Sequence, residues 1–134
     1  MGWFTQRNDH GVARWVVFVA GLLAVFGTLI GLVAFFGPDS FAGEAIDATG
    51  LARSWGARNA ALAAAMGAAA LVGRPEAFLV SFTGAAGREI GDLVNGIVEA
   101  DGTWIVAVVV LAIDLAAIRH VLAARQRSSG MVAR

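Results

Sequence analysis

Residues 15–36 form an unbroken apolar run with no charged side chain, 22 residues long. A helix that crosses a bilayer needs about 20 such residues. The run is too long for the apolar region of a signal peptide, about 7–15 residues, although Arg7 and Arg14 precede it. Gly37-Pro38 ends it, because proline cannot continue a helix. A chain containing this segment is expected to fold in lipid.

The rest of the sequence repeats the pattern with more polar content. Three further spans are expected at 51–72, 76–99 and 103–124, separated by an acidic stretch, by Gly73-Arg74-Pro75 and by Asp101-Gly102. The acidic stretch, 39–50, is expected to form a short interfacial helix. The tail from Arg125 onward is expected to fray. Overall, 58% of residues are hydrophobic and 15% are charged, whereas soluble domains carry about 25% charge. The expectation is one all-α domain, 1–134: an integral membrane four-helix bundle.

Arginine placement gives the orientation. Arg7, Arg14, Arg74, Arg125, Arg127 and Arg134 fall at one end of a four-span arrangement; Asp39, Glu44, Asp47, Glu99 and Asp101 fall at the other. The positive-inside rule then puts both termini in the cytoplasm. Trp15, Trp55 and Trp104 fall near span ends, where indole rings settle at the interface. High alanine content, with ten basic residues that are all arginine, suggests a bacterial source and hence the bacterial inner membrane.

Composition excludes several chemistries. There is no cysteine, so disulfides, thiolate metal sites and cysteine nucleophiles are out. A formal net charge of +0 gives no field for nucleic acid. No phosphate-cradling loop, nucleophile elbow or HExxH is present. Neither a cofactor nor a metal is expected. His120 reads as an interfacial histidine, since His10 lies on the terminal segment and no other ligand matches its depth.

Five charged residues sit inside the spans: Arg58, Arg88, Glu89, Asp92 and Asp114. A charge in hydrocarbon costs roughly 2.5–3.5 kcal/mol, so such groups face the protein interior and take partners. In the third span Ser81, Arg88, Asp92, Asn95 and Glu99 share one helical face, opposite Phe82, Ile90, Leu93 and Val94. A rise of about 1.5 Å per residue puts Arg58 and Asp92 both roughly 10 Å deep, and Arg88 and Asp114 both roughly 16 Å deep. Two pairs are therefore expected, Arg58–Asp92 and Arg88–Asp114, in the bidentate geometry that suits arginine. Glu89 is left over. A carboxyl group in a dry site without its own cation tends to keep its proton, which makes Glu89 the candidate proton carrier; a bond to a neighbour or to Arg53 is the structural alternative. The cluster can be an ion-pair network that fixes helix register, or a site for a ligand, ion or proton. Gly27 and Gly31 form a GxxxG pattern, suited to a helix contact within the bundle or between protomers.

The segment Arg53-Ser-Trp-Gly-Ala-Arg58-Asn-Ala-Ala-Leu-Ala, followed by Gly87-Arg88-Glu-Ile-Gly-Asp92-Leu-Val-Asn-Gly96, resembles the small four-helix bacterial membrane proteins of unknown function that are DoxX-like. The resemblance implies a four-helix membrane fold in which an arginine on the second helix and an arginine–aspartate pair on the third recur. It does not extend to Asp114 and implies no activity.

Three functions compete. The first is binding of a small apolar or lipid-like ligand, or service as an accessory subunit, with Arg58, Arg88, Asp114, Asn95 and Arg53 as ligand-binding or ion-pair residues. The second is an enzyme doing acid/base isomerisation or cyclisation of an apolar substrate, with Glu89 and Asp92 as candidate catalytic groups. The third is a proton or ion relay subunit, which needs an oligomer. The lipid bilayer is the one partner common to all three; a homo-oligomer or a larger membrane complex is compatible with each.

Overall fold

The computed structural model describes residues 6–40, 48–99 and 104–132. These form four helices: α1 (Arg14–Phe36), α2 (Ala48–Val72), α3 (Pro75–Glu99) and α4 (Trp104–Val132). The fold is all-α, with no strand among the described residues. The acidic connection begins as a 3-10 turn, Pro38–Ser40. Its continuation over 41–47 and the expected Asp101-Gly102 turn lie outside the described residues.

Each boundary has a local cause. The amide of Gly37 caps α1 through the Val33 carbonyl at 2.8 Å, and Pro38 prevents continuation. Gly73 ends α2 at φ +71, a left-handed conformation that suits glycine, and its amide donates to the Ala69 carbonyl at 2.8 Å. Pro75 then occupies the first position of α3, where a missing N–H costs nothing. The end of α4 departs from expectation. Instead of fraying at Arg125 the helix runs on to Val132, and Arg125 Nε lies 3.5 Å from Glu76 Oε1 at the start of α3.

The GxxxG pattern of α1 is used within the chain. A Cβ added to Gly31 would stand 2.8 Å from both Ala60 N and Gly56 O of α2; one added to Gly56 would stand 2.6 Å from Gly31 O. Small residues on both helices thus let the two backbones touch.

One apolar core joins all four helices. Val16 and Ala20 of α1, Met66 and Ala69 of α2, Phe78 and Phe82 of α3, and Ala117 and Val121 of α4 are all buried in it. Phe82, expected on the face away from the polar stripe, is fully buried here, and its ring stacks on Phe78 at 6.3 Å. The core fills the half of the molecule where α1 and α3 begin and α2 and α4 end. The terminal segment is tied to the same end, with Asn8 Nδ2 donating to the Gly73 carbonyl at 2.8 Å. Arg7, Arg14, Arg74 and Arg125 therefore lie towards one end. His120 sits there too, half-buried and edge-on to Trp15 at 5.5 Å.

The outer surface is apolar. Phe18, Val25 and Leu29 of α1, Val80 and Val94 of α3, and Val109 and Leu115 of α4 are all exposed. Two helices, Arg14–Phe36 and Trp104–Arg127, are long and apolar enough to cross a membrane. The polar content of α2 and α3 is concentrated where the four helices separate.

Candidate functional site

Beyond the core, the helices part around a cavity of about 730 Å³. Its wall is mostly apolar: Leu23, Phe26 and Ile30 from α1, Leu62 and Ala63 from α2, Ala85 from α3, and Val106 and Val110 from α4. Met66 and Ala85 are shared with the core and form its floor. The polar lining is confined to Asn59, Arg88, Glu89, Asp92, Asn95 and Asp114, with the Trp55 indole beside them.

Four of the five charges singled out within the apolar segments, Arg88, Glu89, Asp92 and Asp114, line this cavity; Arg58 does not. Its Nη2 donates to Asp92 Oδ1 at 3.1 Å, so the Arg58–Asp92 pair forms as the depth argument anticipates. Arg58 keeps half of its side-chain surface exposed, and Asp92 about a quarter. This pair lies at the rim.

The second expected pair, Arg88–Asp114, does not form. Arg88 Nη1 donates to Asn59 Oδ1 at 2.6 Å, its Nη2 is ion-paired with Glu89, and its Nε lies 3.6 Å from Asp92 Oδ2. The physical reason is local. Glu89 is the next residue and Asp92 is one turn along the same helix, so neither needs another helix to be aligned with it. Equal depth fixes height but says nothing of direction around the helix axis, and neighbours on the same helix satisfied the guanidinium first.

This redistributes the odd carboxyl. Glu89, expected to lack a cation, is buried and ion-paired with Arg88; Arg53, the alternative partner, is exposed and lines no part of the cavity. Asp114 is the group left over. It is 0% exposed, and neither of its carboxyl oxygens has a hydrogen-bond partner. Buried polar groups are nearly always paired, and an orphan of this kind calls for an explanation.

Asn59 is the residue that sequence reading missed. It is buried, accepts from Arg88, and donates through Nδ2 to the Trp55 carbonyl at 2.9 Å. The signal was present: an amide inside an alanine-rich helix has to find a partner in the bundle. Trp55, expected at an interface, lines the cavity. Ser81 shares the face of Arg88 yet lies in the packed half, where its hydroxyl donates to the Ala65 carbonyl at 3.0 Å. Asn95 lines the cavity from a more exposed position. The Glu99 side chain lies outside the described residues.

The arrangement provides an apolar volume with polar groups at one place, among them the buried Asp114 carboxyl, which has neither a cation nor a hydrogen bond, and Glu89, whose Oε1 is ion-paired but not hydrogen-bonded. Comparison with known proteins finds no matching family model, no matching curated protein and no matching solved structure.

Proposed function

We propose that this chain is a small integral membrane protein whose interhelical cavity binds a small apolar or lipid-like ligand, with the ligand's polar end held at the Asn59–Arg88–Glu89–Asp114 cluster. All four helices cross the inner membrane of a bacterium, α1 and α4 shielding the more polar α2 and α3, and both termini lie on the arginine-rich cytoplasmic side. The DoxX-like resemblance belongs to the same reading.

One observation carries it: a cavity of about 730 Å³ ends on a buried carboxyl that has no partner. Ligand sites usually measure roughly 300–1,000 Å³, with apolar walls and a few convergent polar groups. An accessory subunit would be expected to have a filled centre. An ion-pair network that served only helix register would have no use for the orphaned Asp114.

The acid/base enzyme is the second reading, and the same orphan favours a changed form of it. Glu89 and Asp92 are each tied to an arginine. An enzyme built on this cavity would draw on Asp114 as its acid or base.

Native mass spectrometry of the protein released from nanodiscs tests the binding reading. A non-covalent adduct is expected on the wild type. It is expected to vanish in Val110→Trp, which fills the cavity from α4 while the helical circular dichroism signal stays. A Val110→Trp variant that kept the adduct would place the ligand elsewhere, and a bare wild-type mass would remove support for a resident ligand.

A further inference from the structure

We infer that the ligand is a monocationic amphiphile, an apolar body carrying one protonated amine, and that Asp114 receives the ammonium group. The inference rests on the cavity being a ligand site and adds the chemistry of the ligand.

The charge count points there. Arg58 is matched by Asp92 and Arg88 by Glu89, leaving Asp114 as one carboxyl in excess around the cavity. Alone in this dry site the Asp114 carboxyl keeps its proton; a cation beside it lets it ionise, and an ionised carboxylate accepts hydrogen bonds and cannot donate them. Two bare oxygens therefore ask for donors, and an ammonium group brings three together with the missing positive charge. An anionic head would meet a less open partner, because Nη1 and Nη2 of Arg88 are already committed to Asn59 and Glu89 and its Nε, without a hydrogen bond of its own, faces the Asp92 carboxylate at 3.6 Å. Phe26 and Trp55 add aromatic side chains to the lining of the same cavity. Among the described residues no three carboxylate or imidazole groups converge as ligands for a metal ion. The cation that fits is organic, with an apolar body to cover the remaining wall.

Three probes with one tail and different heads separate the possibilities: dodecylamine, dodecanol and dodecanoic acid, titrated against the full chain in nanodiscs and read by displacement of the native adduct or by bound mass. Dodecylamine is expected to bind at least about tenfold more tightly than dodecanol, the ratio of a charge-assisted to a neutral hydrogen bond. Dodecanoic acid is expected to bind most weakly. Asp114→Asn is expected to bring dodecylamine down to the level of dodecanol while dodecanol binding holds. Glu76→Gln, which alters a carboxyl at the other end of the bundle, is expected to change neither.

Equal binding of amine and alcohol by the wild type would overturn the cationic ligand and leave the cavity reading intact. Tightest binding of the acid would overturn it in favour of Arg88 as the anchor. Failure of all three to bind would count against the cavity reading itself. Because the head-group comparison uses the wild type, it stands even if Asp114→Asn does not fold.

Discussion

Replacing Asp114 with leucine is expected to make the ligand-free protein more stable while destroying its site. Asp114 is 0% exposed and both its oxygens lack partners. An unsatisfied buried polar group costs about 1–3 kcal/mol. Leucine removes that cost, and the cavity beside the side chain gives its extra methyl groups room, so overpacking is small. The gain should be about 1–3 kcal/mol; at about 4 °C per kcal/mol for a chain of this size, the melting temperature should rise by about 4–12 °C. Asp114→Asn keeps a polar group of the same shape and should change stability by less than about 1 kcal/mol, since it still lacks partners. The assay is far-UV circular dichroism through a thermal ramp, on protein stripped of bound lipid in one detergent. With ligand present the order should invert, because binding stabilises only a protein that can bind. If Asp114→Leu melted well below the wild type in stripped protein, Asp114 would be satisfied from within the fold, and its availability to a ligand would be refuted.

Other substitutions probe the frame around the site. Gly31→Val should cost about 1–3 kcal/mol or prevent folding, since a Cβ there would stand 2.8 Å from α2 backbone atoms that cannot yield; thermal unfolding reads it, and a neutral result would dissolve the α1–α2 contact. Arg88→Met should cost about 3–5 kcal/mol because it strips the partner from buried Glu89, whereas Arg58→Gln at the half-exposed rim should cost less than about 1 kcal/mol. Reversal of that order would move the burial to the other arginine. The absence of cysteine allows single spin labels to be placed freely. Labels at Val25, Val94 and Val109 should relax with oxygen and be protected from a water-soluble nickel reagent, and strong nickel relaxation at any of them would take that face out of the bilayer.

Helix number and approximate extent were legible because they follow from runs of apolar residues and from the glycine and proline stops at Gly37-Pro38 and Gly73-Arg74-Pro75. Those signals are local. The Arg58–Asp92 pair was legible for a different reason: no carboxylate lies near Arg58 on its own helix, so the partner had to come from another helix at the same level. The same reasoning failed for Arg88, which has Glu89 and Asp92 beside it on α3. Sequence depth treats a side chain as a height, and long side chains choose by direction and reach. That error carried over to the odd carboxyl, which passed from Glu89 to Asp114. The cavity itself had no sequence signature. Its walls are the same leucines, valines and alanines that fill the core, and what distinguishes the two halves is where the large rings of Phe78 and Phe82 fall. The continuation of α4 past Arg125 was missed because the polar tail carries no apolar periodicity that marks a helix.

A crystal structure grown from a lipidic mesophase, without added ligand beyond the host lipid and whatever is carried through purification, is the most direct measurement. The account predicts density within the cavity that reaches hydrogen-bonding distance of Asp114, with Arg88 on Asn59 and Glu89. A closed interior, with Asp114 bonded to Arg88 and no space between the helices, would contradict it.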